Sequence, residues 1–281
     1  MRVTWLAVLV GFLAPVQSVG DGQALQRMVA WERAFAAATE QIGVRDGFLT
    51  FFAEDSIQIE RGPKVALVPA RDALAAQTLP RLPLANRLLW EPYTGHVSAD
   101  GTLGWLTGGF VSMNQAEQVP VRNGAYFSVW KRQANGTWRV WLDEGIGLPQ
   151  IWQGASPFRV APDPDEGSIG TANETLADVE RSVAGDASTW RARLATGVRV
   201  HREGMMPFVG RDAVLMWAEK QGPRRYALLR TEEAGSGDLA ITVGALDTGS
   251  AAKTQGSWVR VWKRDLGGRW RIVFQTETVG A

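Results

Sequence analysis

The chain holds two histidines, His96 and His201, and no cysteine among its 281 residues. Thiolate nucleophiles, disulfides, zinc–thiolate sites and iron–sulfur clusters are therefore excluded, and so is any mechanism that needs several imidazoles. No Gly-x-x-x-x-Gly-Lys loop, Gly-x-Ser-x-Gly elbow or His-Glu-x-x-His helix is present. One carboxylate is placed oddly: Leu25, Met28, Val29, Ala36 and Thr39 recur at helical spacing, and Glu32 falls in the middle of their face. Glu180 sits at the edge of a second such stripe, Leu176, Val179 and Val183. A carboxylate on an apolar face needs a partner, because an unpaired buried charge is costly. An ion pair to an arginine or a solvated helix end is the expectation at both positions, with a place in a binding pocket the functional alternative for Glu32. His96 precedes a Ser-Ala-Asp-Gly turn and could face inward or outward. His201 lies near Arg199 and Arg202 and reads as part of a solvated strand face, and Asp55 reads as a turn cap. Two distant histidines without cysteine make a metal site unexpected, and nothing calls for a cofactor.

The elements that would position these groups come from an ordinary globular composition, 45% hydrophobic and 21% charged, with 30 basic residues against 29 acidic ones. A net charge of +1 argues against a dedicated nucleic-acid binder, which needs a concentrated basic excess. Residues 1–18 read as a secretory signal: Arg2 opens it, Val3 to Ala14 form an apolar run, and Val16 and Ser18 suit cleavage after Ser18. That run is too short to span a bilayer, which takes ~20 apolar residues. The expectation is an exported protein, periplasmic or secreted, with no membrane span.

An internal repeat organises the rest. Residues 124–139 align without a gap on residues 256–271, and eight of these sixteen positions are identical, including Val-Trp-Lys-Arg and Gly-x-Trp-Arg. Both copies surround a turn, Asn135-Gly136 and Gly267-Gly268, and read as long hairpins. Weaker echoes keep their order upstream: 56–61 with 197–202, 70–74 with 210–214, and 98–108 with 234–244. Each half reads helix, strand, short helix, then several strands. The expected domains are 24–148 and 174–279, joined by a linker over 149–173 that carries Pro149, Pro157, Pro162 and Pro164.

This order of elements, with the Gly-x-Tyr…Val-Trp-Lys-Arg…Gly-x-Trp-Arg-Val…Asp hairpin and the stretch Trp90-Glu-Pro…Val97-Ser-Ala-Asp-Gly-Thr-Leu-Gly-Trp-Leu-Thr-Gly108, resembles the nuclear transport factor 2-like superfamily. Within it, the exported SnoaL-like proteins of unknown function are the most similar group. The resemblance covers 24–148 well and 174–279 loosely. It implies an α+β fold of two cone-shaped domains, each a curved antiparallel sheet packed on N-terminal helices, the open end a small-molecule pocket. It also implies a carboxylate or histidine inside the cone as general base in the family's enzymes. Asp143, ending the last strand of the first half, matches that role, with Tyr126 on the neighbouring strand as a hydrogen-bond donor. The aligned residue in the second half is Gln275, which cannot act as a base. Glu32, Trp90, His96 and Trp105 complete the expected pocket.

Function follows the site rather than the fold. The leading expectation is a small-molecule-binding or scaffold protein whose pocket lies in the first domain. The alternative is a ketosteroid-isomerase-like or dehydratase-like enzyme using Asp143. The 13 tryptophans exceed what two small domains need inside, and a bare stripe of them would be a large apolar patch. The two hairpins are therefore expected to pair the domains about a pseudo-two-fold axis, with Trp130 and Trp262 in the interface and an accessible, protease-sensitive linker at its edge. The expected partners are a small-molecule ligand and the chain's own second half, with a homo-oligomer left open.

Overall fold

The computed structural model describes residues 19–77, 86–114, 116–152, 157–170, 172–183, 187–222, 224–249 and 255–279. The expected signal segment, residues 1–18, lies outside the described residues. The first domain runs α1 (Val19–Ile42), α2 (Val44–Phe51), β1 (Phe52–Glu60), β2 (Ala66–Pro69), α3 (Ala70–Ala75), β3 (Asn86–Val97), β4 (Leu103–Asn114), β5 (Pro120–Arg132) and β6 (Trp138–Gly147), followed by the short β7 (Arg159–Val160). The second runs α4 (Leu176–Ser182), α5 (Ala187–Arg193), β8 (Leu194–Arg202), β9 (Met205–Val209), α6 (Arg211–Ala218), β10 (Arg225–Glu233), β11 (Leu239–Asp247), β12 (Gly256–Arg264) and β13 (Trp270–Thr278). No helix among the described residues is long and apolar enough to cross a membrane.

The repeat seen in the sequence is a repeat of sheets. The first has strand order β2-β1-β6-β5-β4-β3-β7, and the second, read from the matching end, is β9-β8-β13-β12-β11-β10. The hairpin turns match as well, with Gly136 at φ 83° and Gly268 at φ 77°, a conformation that glycine adopts without a Cβ penalty. The fold is α+β with two domains, but the sheets are mixed rather than purely antiparallel. β1 leaves α2 with no hairpin to set its direction and runs parallel to β6; β8 runs parallel to β13 in the same way. Both sheets are open, with unpaired edges rather than a wrapped cone.

Alternation along the strands sorts side chains into four layers, helix, sheet, sheet, helix. On α1 the buried face is Leu25, Met28, Val29, Glu32, Phe35 and Thr39, with Phe35 in place of the expected Ala36. It packs on the inner side of the first sheet with Trp130, Trp138 and Val140. In the second domain Trp190, Val214 and Trp217 meet Trp262, Trp270 and Ile272 in the same manner. The third core lies between the sheets, where Trp105, Phe127, Val129 and Trp141 meet Ile241, Val243, Val261 and Phe274. Phe127 stacks on Phe274 with centroids 4.6 Å apart and planes 9° from parallel, and Trp105 lies 5.1 Å from Phe274.

The hairpins thus supply the interdomain core, through different residues from those expected. Trp130 and Trp262 are fully buried, yet each lies on the helix side of its own sheet. The reason is alternation on β5 and β12, where Val129 and Val261 face the other sheet and the next residues, Trp130 and Trp262, face the helices. The bulges lie on the partner strands. β5 and β6 shift register by one residue, so that Val129 faces Leu142 while Trp130 faces Val140 and Trp141 is the bulged residue. Val261 and Trp262 shift against Phe274 and Ile272 at the equivalent point. The turns at the interface edge bond reciprocally, as an isologous contact requires: Ser236 N donates to Asp100 Oδ2 at 2.9 Å and Ala99 N to Asp238 Oδ1 at 3.2 Å.

The described part of the segment between the domains is bonded to both sheets at a few points. β7 pairs with β3, Ala161 N donates to Gly95 O at 2.9 Å, and Gly170 N and Ala172 N donate to Leu266 O and Gly267 O at 3.1 and 2.9 Å.

Candidate functional site

The same one-residue bulge that buries Trp141 turns Asp143 to the inner face of the first sheet. Without it Asp143 would follow Trp141 outward, since residues two apart share a face. Asp143 pairs with Ser128, and Tyr126, two residues along β5, pairs with Gly145. The three side chains Tyr126, Ser128 and Asp143 therefore share the surface that α1 and α2 cover.

A cavity of about 190 Å³ opens there, walled by Phe48, Leu88, Trp90, Phe110 and Tyr126, with Asp143, Gly145 and Arg122 completing its lining. Gly145 keeps it clear: a Cβ there would stand 3.4 Å from the Phe110 ring. Arg122 is exposed at the rim, its guanidinium 5.5 Å above Phe110. One polar group in the lining is unsatisfied. Tyr126 is 5% exposed and its buried hydroxyl has no hydrogen-bond partner among the described residues. Asp143, beside it in the lining, is half-buried. Groups that cost free energy when left unpaired mark a place where a ligand can pair them.

Behind the Trp90 wall lies Glu32, fully buried. It is neither ion-paired nor solvated, which corrects the expectation for this residue. Three neutral donors hold it instead: Trp90 Nε1 at 2.7 Å, Ser128 Oγ at 2.6 Å and Trp130 Nε1 at 2.7 Å. Burial pushes the Glu32 carboxyl up, and the hydrogen bonds from Ser128, Trp90 and Trp130 oppose the rise. Asp143 is pushed well above the ordinary carboxylate range, first by burial, then by the nearby Glu32 and Glu144. Burial, then Glu32 and Asp143, likewise raise the Tyr126 phenol, so it stays a hydrogen-bond donor.

The second domain fills the equivalent space. Arg260 stands at the register of Ser128, opposite Gln275 as Ser128 is opposite Asp143, and Trp258 and Glu277 stand where Tyr126 and Gly145 do. All four are buried. Glu180 accepts from Arg260 Nη1, from Trp262 Nε1 at 2.8 Å and from Thr242 Oγ1 at 3.0 Å. Here the expectation of an ion pair to an arginine holds. Arg260 Nε donates to Gln275 Oε1 at 2.5 Å. Tyr226 Oη donates to Glu277 at 2.7 Å, and Arg224 also pairs with Glu277.

The remaining sequence candidates lie elsewhere. Trp105 is on the opposite face of β4, in the core between the sheets, because alternation from Leu106, which packs toward α1, puts it outside. His96 is buried but lines a separate hollow with Leu25, Val29, Arg33 and Val160. Its Nε2 lies 3.1 Å from Asp163, which also binds Lys263 Nζ at 3.0 Å, so the three tie the linker to both domains. His201 is buried rather than solvated, its ring edge-on to Phe274 and Trp152, and burial and then Arg199 hold its pKa well below the usual value. Asp55 pairs with Lys131 at 2.7 Å. Sequence reasoning singled out neither Phe48, Phe110 and Gly145 nor Ser128. The signal was in the repeat, which sets Ser128 against Arg260 and Gly145 against Glu277.

A raised Asp143 has a consequence for stability. A carboxyl whose folded pKa exceeds its unfolded value of about 3.9 stabilises the fold fully only below that value, and the contribution is lost as pH rises through the folded pKa. Asp143→Asn should therefore be more stable than the parent at pH 7–8, by about 1–2 kcal/mol, with the gap closing below about pH 4. Chemical denaturation at the two pH values checks this; a less stable variant at neutral pH would make Asp143 a structural acceptor.

No family model and no curated protein matches the sequence. Among solved structures the chain is similar to a candidate ketosteroid isomerase from Parabacteroides distasonis, at 15% identity over 42% of this chain and 95% of that one, with a TM-score of 0.32. It is similar to a candidate calcium/calmodulin-dependent protein kinase type II association domain from Thiobacillus denitrificans, at 16% identity over 41% and 100%, TM-score 0.32. A third is a nuclear transport factor 2-like protein with a cystatin-like fold from Novosphingobium aromaticivorans, at 14% identity over 36% and 77%, TM-score 0.30. Each match spans less than half of this chain. The similar solved structures thus include proteins described as nuclear transport factor 2-like and one described as a candidate ketosteroid isomerase.

Proposed function

We propose that the protein is an exported small-molecule-binding protein whose ligand occupies the cavity of the first domain, the second domain being its structural partner. The observation that carries this reading is the unsatisfied Tyr126 hydroxyl facing, with the half-buried Asp143 carboxyl, one aromatic-walled cavity. Such a mix of apolar wall and few polar anchors is the usual make-up of a ligand site. The test is a thermal-shift screen of the full chain against a small-molecule library, because a ligand raises apparent stability by mass action. Ligands are expected whose shift disappears in both Tyr126→Phe and Asp143→Asn; a screen with no such ligand overturns the reading.

The shared cavity also favours a second reading, proton transfer. A carboxylate whose pKa burial has raised holds an abstracted proton more firmly than a free one, and a phenol can donate to a developing enolate oxygen. Isomerisation of a β,γ-unsaturated ketone, abolished by Asp143→Asn, would support it. Ligand binding without turnover would leave the first reading in place.

A further inference from the structure

The two halves of the chain are one architecture with its inner site in two states, open in the first domain and filled in the second. What fills the second is a guanidinium. Arg260 lies over three rings, 4.5 Å from Trp258, 4.8 Å from Tyr226 and 5.7 Å from Trp262, and donates to Glu180 and Gln275. In the first domain its place is taken by Ser128, while the carboxylate below remains as Glu32 and Gln275 becomes Asp143. The cation has been removed and a second carboxylate added. The aromatic setting is kept in Trp90, Phe110 and Tyr126. Among the described residues no cation takes the vacated place: the lining residue Arg122 is exposed at the rim over Phe110, and nearby Arg33 is committed to Glu91 at 2.6 Å.

Resting on the pocket reading above, we infer that the first domain's ligand is a small organic cation, an amine, amidine or guanidinium on an apolar body, held between Asp143 and the rings of Trp90, Phe110 and Tyr126. Carboxylate and ring faces attract the same charge, and both do so more strongly in a site that excludes water. An anion would meet the Asp143 carboxylate in the lining, with the buried Glu32 adding to the same negative field from behind Trp90.

Three probes of one shape and different charge test this: benzamidine, benzamide and benzoate, titrated calorimetrically into the full chain. Benzamidine is expected to bind, with benzamide and benzoate weaker by about tenfold or more. Asp143→Asn should weaken benzamidine by a similar factor. Ser128→Arg, which rebuilds the second domain's plug, should abolish binding while the circular dichroism still shows the native fold, and any binding that survives it counts against the inference. Benzamide or benzoate binding as tightly as benzamidine, or benzamidine bound undiminished by Asp143→Asn, overturns the charge argument and leaves the pocket standing. Failure of all three probes overturns the inference, and the library screen then decides separately whether the cavity binds anything.

Discussion

Phe274→Ala lowers the stability of both domains together, by about 3–5 kcal/mol, as expected for an aromatic removed from a closed core. Phe274 is fully buried, yet it contributes little to its own helix-facing core. Its ring stacks on Phe127, tilts against Trp105 and meets His201 edge-on at 4.9 Å. Truncation leaves a cavity between the sheets, bounded by strands of both domains that cannot close on it independently. Calorimetry should show one transition in the parent protein and one, shifted down, in the variant. Two resolved transitions, with the first domain's unmoved, would mean that the interface couples the domains weakly. Trp262→Ser, by contrast, strikes the core of the second domain and the donor to Glu180, so its damage originates there.

The difference between those two substitutions shows where the sequence is legible. The repeat is readable because Val-Trp-Lys-Arg and Gly-x-Trp-Arg are identical in both halves, and identical hairpins fold alike. It carries the domain count, the α+β class and the loss of Asp143 at Gln275. Which face each residue takes is not readable, because a single bulge reverses the parity of everything after it. Counting by twos from Trp138 would send Asp143 outward; the bulge at Trp141 sends it in. Nor could helix periodicity show that Glu32 would be held by indoles from Trp90 and Trp130, 58 and 98 residues away. Periodicity marks a buried face and is silent about the donors opposite. Ser128 and Gly145 escape for another reason. A pocket is marked by small residues, and small residues carry no chemistry of their own until the second copy shows what larger side chains would do there.

That comparison gives the last expected result. Arg260→Ala should cost about 3–5 kcal/mol, the penalty for stranding a buried carboxylate. Arg260 and Glu180 are buried together in the second domain, and the remaining donors to Glu180, Trp262 and Thr242, are neutral. Glu32 in the first domain lives on neutral donors alone, so the geometry tolerates such a state. The difference is that Glu32 has three of them, Trp90, Ser128 and Trp130, whereas Glu180 without its arginine keeps two. Removing the charge should then repair much of the loss: the double variant Arg260→Ala with Glu180→Gln should recover well over half of it, since the amide no longer needs a counter-charge and can still accept from Trp262. Urea denaturation of the single and double variants at pH 7 measures the coupling. If Glu180→Gln added its own cost to that of Arg260→Ala instead of offsetting it, Arg260 would be filling space rather than neutralising a charge, and the first domain's vacant position would need a shape and not a cation.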